Sequence, residues 1–368
     1  MNKNLSSYKF ILVPIAILMI IGLIMVFSAS SIYAASKFND GYFFIKKQFI
    51  FFIIGIVAIY IVSMIPTGFF YATRYFWLLI CFTLLVLTLT PIGHKVHGAC
   101  RWIPFLGFSL QPVEFSKIFL TMYFAWFFGE KQEKIKKFSI GFLPPILVTI
   151  IFASILIIQP DFGSAVFLCC IFFFMSLIGG TRLLYWICSL ILLASSAIVM
   201  VVTSPYRLMR WKAFLHPFEH AKKEGYQLVQ SIYGLANGGL KGVGLGYGKQ
   251  KLFFLPEAHT DFILSVLGEE LGFLGISLVF LCVISILYMG VKLSVNMPDL
   301  KDKFLVAGIT FVIVFSAFLN ISVVLGMIPP KGLAMPFLSY GGSNFLALSI
   351  GIGLILSAIK KNDTNQKV

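Results

Sequence analysis

Residues 204–212 read SPYRLMRWK and residues 226–262 read YQLVQSIYGLANGGLKGVGLGYGKQKLFFLPEAHTDF. This basic, aromatic and glycine-rich stretch separates two long apolar runs, and on both sides of it the chain is almost continuous hydrocarbon. A chain that keeps so long a polar break between two apolar segments has a use for it, because long loops in compact proteins are uncommon without a function.

The contrast sets the class. Of 368 residues, 59% are hydrophobic, 40 are Phe and only 12% are charged. A soluble domain carries about twice that charged fraction, so the composition predicts a polytopic membrane protein with one helical domain over 1–368. In a soluble chain the net charge of +15 would suggest nucleic acid. Here no basic soluble domain exists to bind it, so no nucleic-acid partner is expected and the cations serve topology or anionic lipid. The first apolar run, FILVPIAILMIIGLIMVFSA, is longer than a signal-peptide core and reads as a retained helix. The six cysteines show neither metal spacing nor a disulfide framework.

Runs long enough to span a bilayer lie near 10–29, 48–65, 75–92, 109–128, 140–158, 162–180, 183–203, 261–290, 304–328 and 337–359. The expectation is an all-α integral membrane protein of about ten transmembrane helices. A large extracytoplasmic loop, 204–260, joins helices 7 and 8, and both termini fall on one side. The 29 Lys and Arg divide 14 to 15 between the sides, but eight of the 15 lie in that loop. Long loops weigh little in orientation, and without it the balance is 14 to seven, which predicts cytoplasmic termini. The exposed cations of the loop then face outside, against the usual trend, which suggests a ligand.

Several polar residues sit where hydrocarbon is expected. Glu114 and Lys117 are three apart on the fourth helix, hence on one face, where they can pair in a functional interior or as a plain packing ion pair. Arg101 and Trp102 precede them in a re-entrant or interfacial stretch, where a Trp is ordinarily an anchor. Asp161, in QPDFGS, has the position of a helix cap. Glu269 and Glu270 are adjacent on the eighth helix, so at most one is expected to point into a central cavity. IPPKGLAMPFLSYGGSN (328–344) interrupts the last two runs with prolines and glycines, and irregular backbone at that depth needs protein or a water-filled cavity around it. Lys331 projects there as a point charge suited to phosphate. GLKGVGLGYGKQ fails as a Walker loop: Val243 stands where the first Gly is required, and Gln250 follows Lys249. It fails the dinucleotide fingerprint as well.

In this order and spacing, GACRWI (98–103), QPVEFSK (111–117), QPDFGS (159–164), GLGYGKQKLFFLPEAHTDFILSVLGEELG (244–272) and PPKGLAMPFLSYGGS (329–343) resemble the shape, elongation, division and sporulation (SEDS) family of bacteria. The resemblance covers nearly the whole chain, and the QKLFFLPEAHTDF and KGLAMP forms look more like the division branch than the elongation branch. Ala99-Cys100 and Val113 depart from the commoner small residues. The resemblance implies a peptidoglycan glycosyltransferase that polymerises lipid II at the outer face of the bacterial cytoplasmic membrane for septal wall synthesis. Its implied partners are a class B penicillin-binding protein transpeptidase and other divisome proteins. The family's essential loop aspartate falls on Asp261, and its other functional positions on Arg101, Trp102, Glu114, Lys117 and Lys331.

That reaction asks for a carboxylate to accept the proton of the attacking sugar hydroxyl, a role assigned to Asp261, and such help contributes about 10²–10⁴ in rate. Cations should stabilise the leaving pyrophosphate. Arg101, Lys117, Lys331, Arg207 and Arg210 are the candidates, with a divalent metal, Mg or Mn, as a further one. Two other readings share these residues. A lipid II flippase would use the basic cavity without a base at Asp261, and a non-catalytic scaffold would use Glu114 and Lys117 structurally.

Overall fold

Apolar runs without strand-like alternation fold as helices in lipid, because only a helix or a closed barrel satisfies every backbone polar group there. The computed structural model describes residues 7–96, 99–105, 107–330 and 332–365, and a helix lies over each of the ten apolar runs. In chain order the elements are α1 Ser7–Phe38, α2 Phe43–Met64, α3 Thr67–Ala72, α4 Arg74–Leu87, β1 His94–Val96, β2 Ala99–Phe105 and β3 Phe108–Leu110. There follow α5 Pro112–Glu130, α6 Leu143–Ile158, α7 Phe162–Ile178, α8 Leu183–Val202, α9 Pro205–Leu215, α10 Tyr226–Gly238, α11 Ile263–Val295, α12 Leu300–Val324 and α13 Gly342–Asn365. Among the described residues, six helices are long and apolar enough to cross a membrane: α1, α2, the stretch Phe138–Ile158 that ends in α6, α11, α12 and α13. Arg74–Leu87, Phe162–Ile178 and Leu183–Ser196 are shorter apolar helices. The chain is a multi-pass membrane protein.

The core runs through α5, α7, α12 and α13, where Phe124, Phe128, Phe167 and Phe172 are among the largest fully buried side chains. Close helix contact relies on small residues, as is usual without a hydrophobic driving force between helices. A Cβ at Gly55 of α2 would run into the Phe345 ring of α13, and one at Gly342 of α13 into the Phe51 ring of α2. By contrast α8 turns most of its surface outward, with Leu192 71% and Ile198 64% exposed, which is sustainable only against lipid or a partner.

The structure corrects the sequence reading of the fold class in one respect. The chain is not all-α: β1, β2 and β3 form an antiparallel sheet in that order, with Ile103 opposite Leu110 and Phe105 opposite Phe108. Arg101 and Trp102, in the stretch read as re-entrant or interfacial, lie on strand β2, and the fourth helix starts at Pro112, the first helical position being one where proline is favoured. Within the stretch 204–260 before α11, the helices α9 and α10 occupy much of the length.

Glu269 and Glu270, of which at most one was expected to point into a central cavity, are both fully enclosed. Helix α11 breaks at Gly272, where φ is +66°. In place of the missing helical bonds, Val243 N–H donates to the Glu269 carbonyl and Gly244 N–H to that of Glu270. Phe273 N–H donates to the Gly239 carbonyl and Leu274 N–H to that of Leu240. The glycine-rich segment thus threads into the break and wraps both sides of the helix. The Glu269 carboxylate accepts from Lys249 N–H and Gln250 N–H at 3.0 Å each. The Glu270 carboxylate accepts from Gly246 N–H at 3.0 Å, Ser28 Oγ at 2.8 Å and Lys251 Nζ at 2.7 Å. Neither faces a central cavity; both hold the loop.

Candidate functional site

Asp261 ends the loop at the head of α11, and two side chains and one main-chain N–H from the end of the bundle fix the 259–261 backbone. Asn320 Nδ2, deep in α12, donates to the Asp261 carbonyl at 2.8 Å and to the Leu333 carbonyl at 2.7 Å. Ser339 Oγ donates to the Thr260 carbonyl at 2.6 Å and accepts from Met335 N–H at 2.8 Å. Tyr340 N–H donates to the His259 carbonyl at 3.0 Å. Gln48 of α2 extends the clamp, its Nε2 donating to the Ser339 carbonyl at 3.5 Å. The irregular main chain at Leu333, Met335, Ser339 and Tyr340 is thereby bonded inside protein, as its depth demands.

The Asp261 side chain is only partly open to solvent, and Gly332 lies beside it, so that a Cβ there would stand 3.3 Å from Oδ2. Burial raises its carboxyl and the charge of Glu257 raises it further; Arg101 works the other way, and the balance lies at about 7. A carboxylate so placed ionises near neutrality, where a general base is most effective. His259, two residues back, packs against the rings of Phe44 at 4.5 Å, Tyr33 at 5.7 Å and Tyr340 at 5.8 Å. Burial lowers its affinity for a proton.

Arg101 comes from β2 and is directed by the turn before α7. Its Nη2 donates to the Pro160 carbonyl at 2.7 Å, and its Nε stands 3.5 Å from the Asp161 carboxylate. Asp161 caps α7 through Ser164 N–H at 3.2 Å and Ser164 Oγ at 2.8 Å, so one carboxylate caps the helix and pairs with the arginine. Trp102, its strand neighbour, pairs with His94 across the sheet and is half-buried.

Glu114 and Lys117 pair at 2.7 Å on the buried face of α5. Asn344 Nδ2 donates to the other Glu114 oxygen at 2.7 Å, and Lys117 Nζ lies 4.7 Å from the Phe167 ring centre. This group is joined to the Asp261 segment through the 339–344 backbone: Gln111 N–H donates to Ser343 Oγ at 2.9 Å, just beyond Tyr340. Arg210 of α9 lines a small pocket with Glu224, Gln227 and Pro330. The Arg207 side chain and Lys331 lie outside the described residues, although Pro330 and Gly332 bring the chain on either side of Lys331 to the Arg210 pocket and to Asp261.

Of the residues singled out in the sequence, the fold brings Arg101 into the field of Asp261 and keeps Glu114 and Lys117 one layer deeper in the bundle. Sequence reasoning passed over Asn320, Ser339, His259 and Glu257, and gave Asp161 only its cap. Asn320 had a signal: it is an amide inside the apolar run ITFVIVFSAFLNISVV. Among the described residues no three His, Cys, Asp or Glu side chains gather to hold a metal ion. A divalent cation here would have to take most of its ligands from a substrate's phosphates, as Mg²⁺ commonly does.

Comparison with known proteins follows the same lines. The family model of the FTSW_RODA_SPOVE cell cycle proteins matches residues 8–364. A probable peptidoglycan glycosyltransferase FtsW of Trichlorobacter lovleyi is 42% identical over 356 residues, 96% of this chain and 93% of that protein. Stage V sporulation protein E of Bacillus subtilis is 38% identical over 365 residues, 97% of this chain and 98% of that protein. Among solved structures, a chain from a study of how a peptidoglycan synthase complex coordinates polymerization and crosslinking superposes with a TM-score of 0.78. It is 23% identical, with 96% of this chain and 97% of that chain covered, a likeness of fold.

Proposed function

Because the chain belongs to the FTSW_RODA_SPOVE family of cell cycle proteins, we propose that it is a peptidoglycan glycosyltransferase that polymerises lipid II, most closely in the manner of its FtsW relatives. The observation that carries the reading is Asp261: a carboxylate fixed by its backbone at the end of a membrane bundle, raised to about 7 and within the field of Arg101. Neither a flippase nor a scaffold needs a base held in that way.

In the proposed reaction the acceptor sugar hydroxyl attacks the anomeric carbon of the donor. Its proton passes to Asp261 as the new C–O bond forms, and the bond to pyrophosphate breaks, the pyrophosphate leaving with the electron pair. Arg101 stands where cationic charge would stabilise that leaving group. Lys331, Arg207 and Arg210 belong to segments that converge on the same end of the bundle, and we assign them the phosphates too. Glu114 and Lys117 hold the floor of the site through Asn344, and Trp102 its rim. A Mg or Mn ion, carried in on the pyrophosphate, would add to the same charge neutralisation. Ten spans with cytoplasmic termini put the 204–260 loop outside, where lipid II is displayed and a class B transpeptidase can crosslink the product.

The test is glycan-chain formation from labelled lipid II by the purified protein with its cognate transpeptidase, for wild type and Asp261→Asn at equal expression. Chains from wild type and none from the variant are expected. Wild-type chain lengths from Asp261→Asn would remove the base, and lipid II binding without chains from either protein would favour transport or scaffolding.

A further inference from the structure

The turn that leads into Asp261 holds a second carboxylate in an unusual backbone. Glu257 has φ of +57°, a left-handed conformation that Gly or Asn adopts readily and a longer side chain rarely does. Residues kept in such conformations cluster at functional sites. The Glu257 carbonyl closes the turn by accepting from Thr260 N–H at 3.1 Å and Phe262 N–H at 3.3 Å. Its carboxylate is anchored as well, accepting from Thr260 Oγ1 at 2.8 Å. Thr260 is itself held to the 332–340 segment by Ser339. Both carboxylates therefore ride on one short turn clamped to the bundle, Glu257 exposed and Asp261 beneath it.

We propose that Glu257 acts on the reaction through Asp261, as a positioning residue whose strained, clamped turn fixes the Asp261 carboxylate and sets a second negative charge on the same turn. The inference rests on the polymerase reading above. Asp261 meets Glu257 on its own segment, Arg101 from β2, the Asn320 amide that holds its backbone, and Gly332 beside Lys331, which lies outside the described residues. Glu257 also acts on His259 and on Lys37 at the end of α1. Its influence on Asp261 exceeds the opposing one of Arg101. The arrangement carries a trade: a stronger base takes the hydroxyl proton more readily but is ionised over a narrower pH range, and the exposed Glu257 keeps the balance near neutrality.

The experiment is the pH profile of chain formation from labelled lipid II by the full protein with its transpeptidase, for wild type, Glu257→Gln, Glu257→Asp and Glu257→Gly. Glu257→Gln is expected to move the acid limb to lower pH: where wild type runs at about a tenth of its plateau, the variant should run at about twice that fraction or more, with a lower plateau. Glu257→Gly, which relieves the left-handed strain but lacks the charge, should move the limb in the same direction. Glu257→Asp should leave it near wild type. An unmoved limb in Glu257→Gln with only a lower plateau would reduce Glu257 to a structural turn residue and overturn the proposal. Should wild type itself form no chains, the polymerase reading fails and infrared titration decides the coupling. The Asp261 carboxyl band, assigned by its loss in Asp261→Asn, must then titrate at lower pH in Glu257→Gln, and the same midpoint in both proteins refutes the proposal.

Discussion

The side-chain amide of Asn320 donates 2.8 Å to the backbone carbonyl of Asp261 and, from the same nitrogen, 2.7 Å to the carbonyl of Leu333. One buried amide in α12 thus ties the proposed base to the irregular segment that carries Gly332. Asn320→Leu would leave two carbonyls without a donor, at a cost of about 1–3 kcal/mol each. The expected result is a lower melting temperature in detergent and a loss of chain formation larger than the loss of folded protein. Asn320→Asp, which sets an acceptor against two acceptors, should be worse than Asn320→Leu, and equal effects would show that the bonds do not position Asp261.

Glu114 and Lys117 allow a different separation of roles. They form a buried ion pair at 2.7 Å, and removing one partner strands the other charge at a cost of about 3–5 kcal/mol, whereas replacing both with apolar residues of similar size is often neutral. Glu114→Leu alone should therefore melt far earlier than the double variant Glu114→Leu/Lys117→Met. A double variant that folds well and makes no glycan chains places the pair in the chemistry; one that folds and polymerises confines it to packing.

These residues show what the sequence could disclose. A charge inside hydrocarbon is conspicuous, so Glu114 and Lys117 were visible in one dimension, as were the helices over the ten apolar runs, whereas Asp261 was picked out only through the family resemblance of its loop. The sheet was not, because residues 94–110 lack the strict alternation that marks a strand. What both Glu269 and Glu270 bind was hidden for a related reason: helical periodicity denies adjacent side chains a common face, so it does not reveal that a loop threaded through a break at Gly272 can meet both. The clamp on Asp261 joins residues from α2, α12 and the 332–340 segment, and such long-range pairing leaves no local pattern.

That threaded loop makes its own prediction. At Gly272 φ is +66°, and an added Cβ would run into the Gly242 nitrogen and the Leu240 carbonyl. Gly272→Ala combines left-handed strain of about 1–3 kcal/mol with this collision. The 239–244 segment is expected to leave the helix break, exposing Phe273 and Leu274 N–H to hydrogen exchange and the bond after Lys241 to trypsin. Unchanged protection of those two amides would show that the segment is not held there.

Orientation can be read chemically. With cytoplasmic termini, the exposed Lys222 in the 204–260 loop lies outside and the exposed Lys131 after α5 lies inside. Lys222→Cys in intact cells should react with a membrane-impermeant maleimide and Lys131→Cys should react only after permeabilisation, each scored above the background of the six native cysteines. The reverse pattern would invert the topology and put Asp261 on the wrong side for displayed lipid II.

The proton affinity of Asp261 carries a stability signature independent of any assay of activity. Its carboxyl is raised from an ordinary value of 3.8 to about 7, chiefly by burial, so the folded state favours the protonated form. Between those two values the unfolded chain is ionised while the folded chain still holds its proton. Stability contributed by that proton is complete below pH 4 and is lost as the pH rises to 7. Asn at 261 has no proton to lose. Asp261→Asn should therefore match wild type in thermal unfolding at pH 4 and exceed it at pH 8, by on the order of 3 kcal/mol. A difference that stays constant between pH 4 and pH 8 would mean that Asp261 ionises as an ordinary carboxylate, and the case for a base working near neutrality would fall with it.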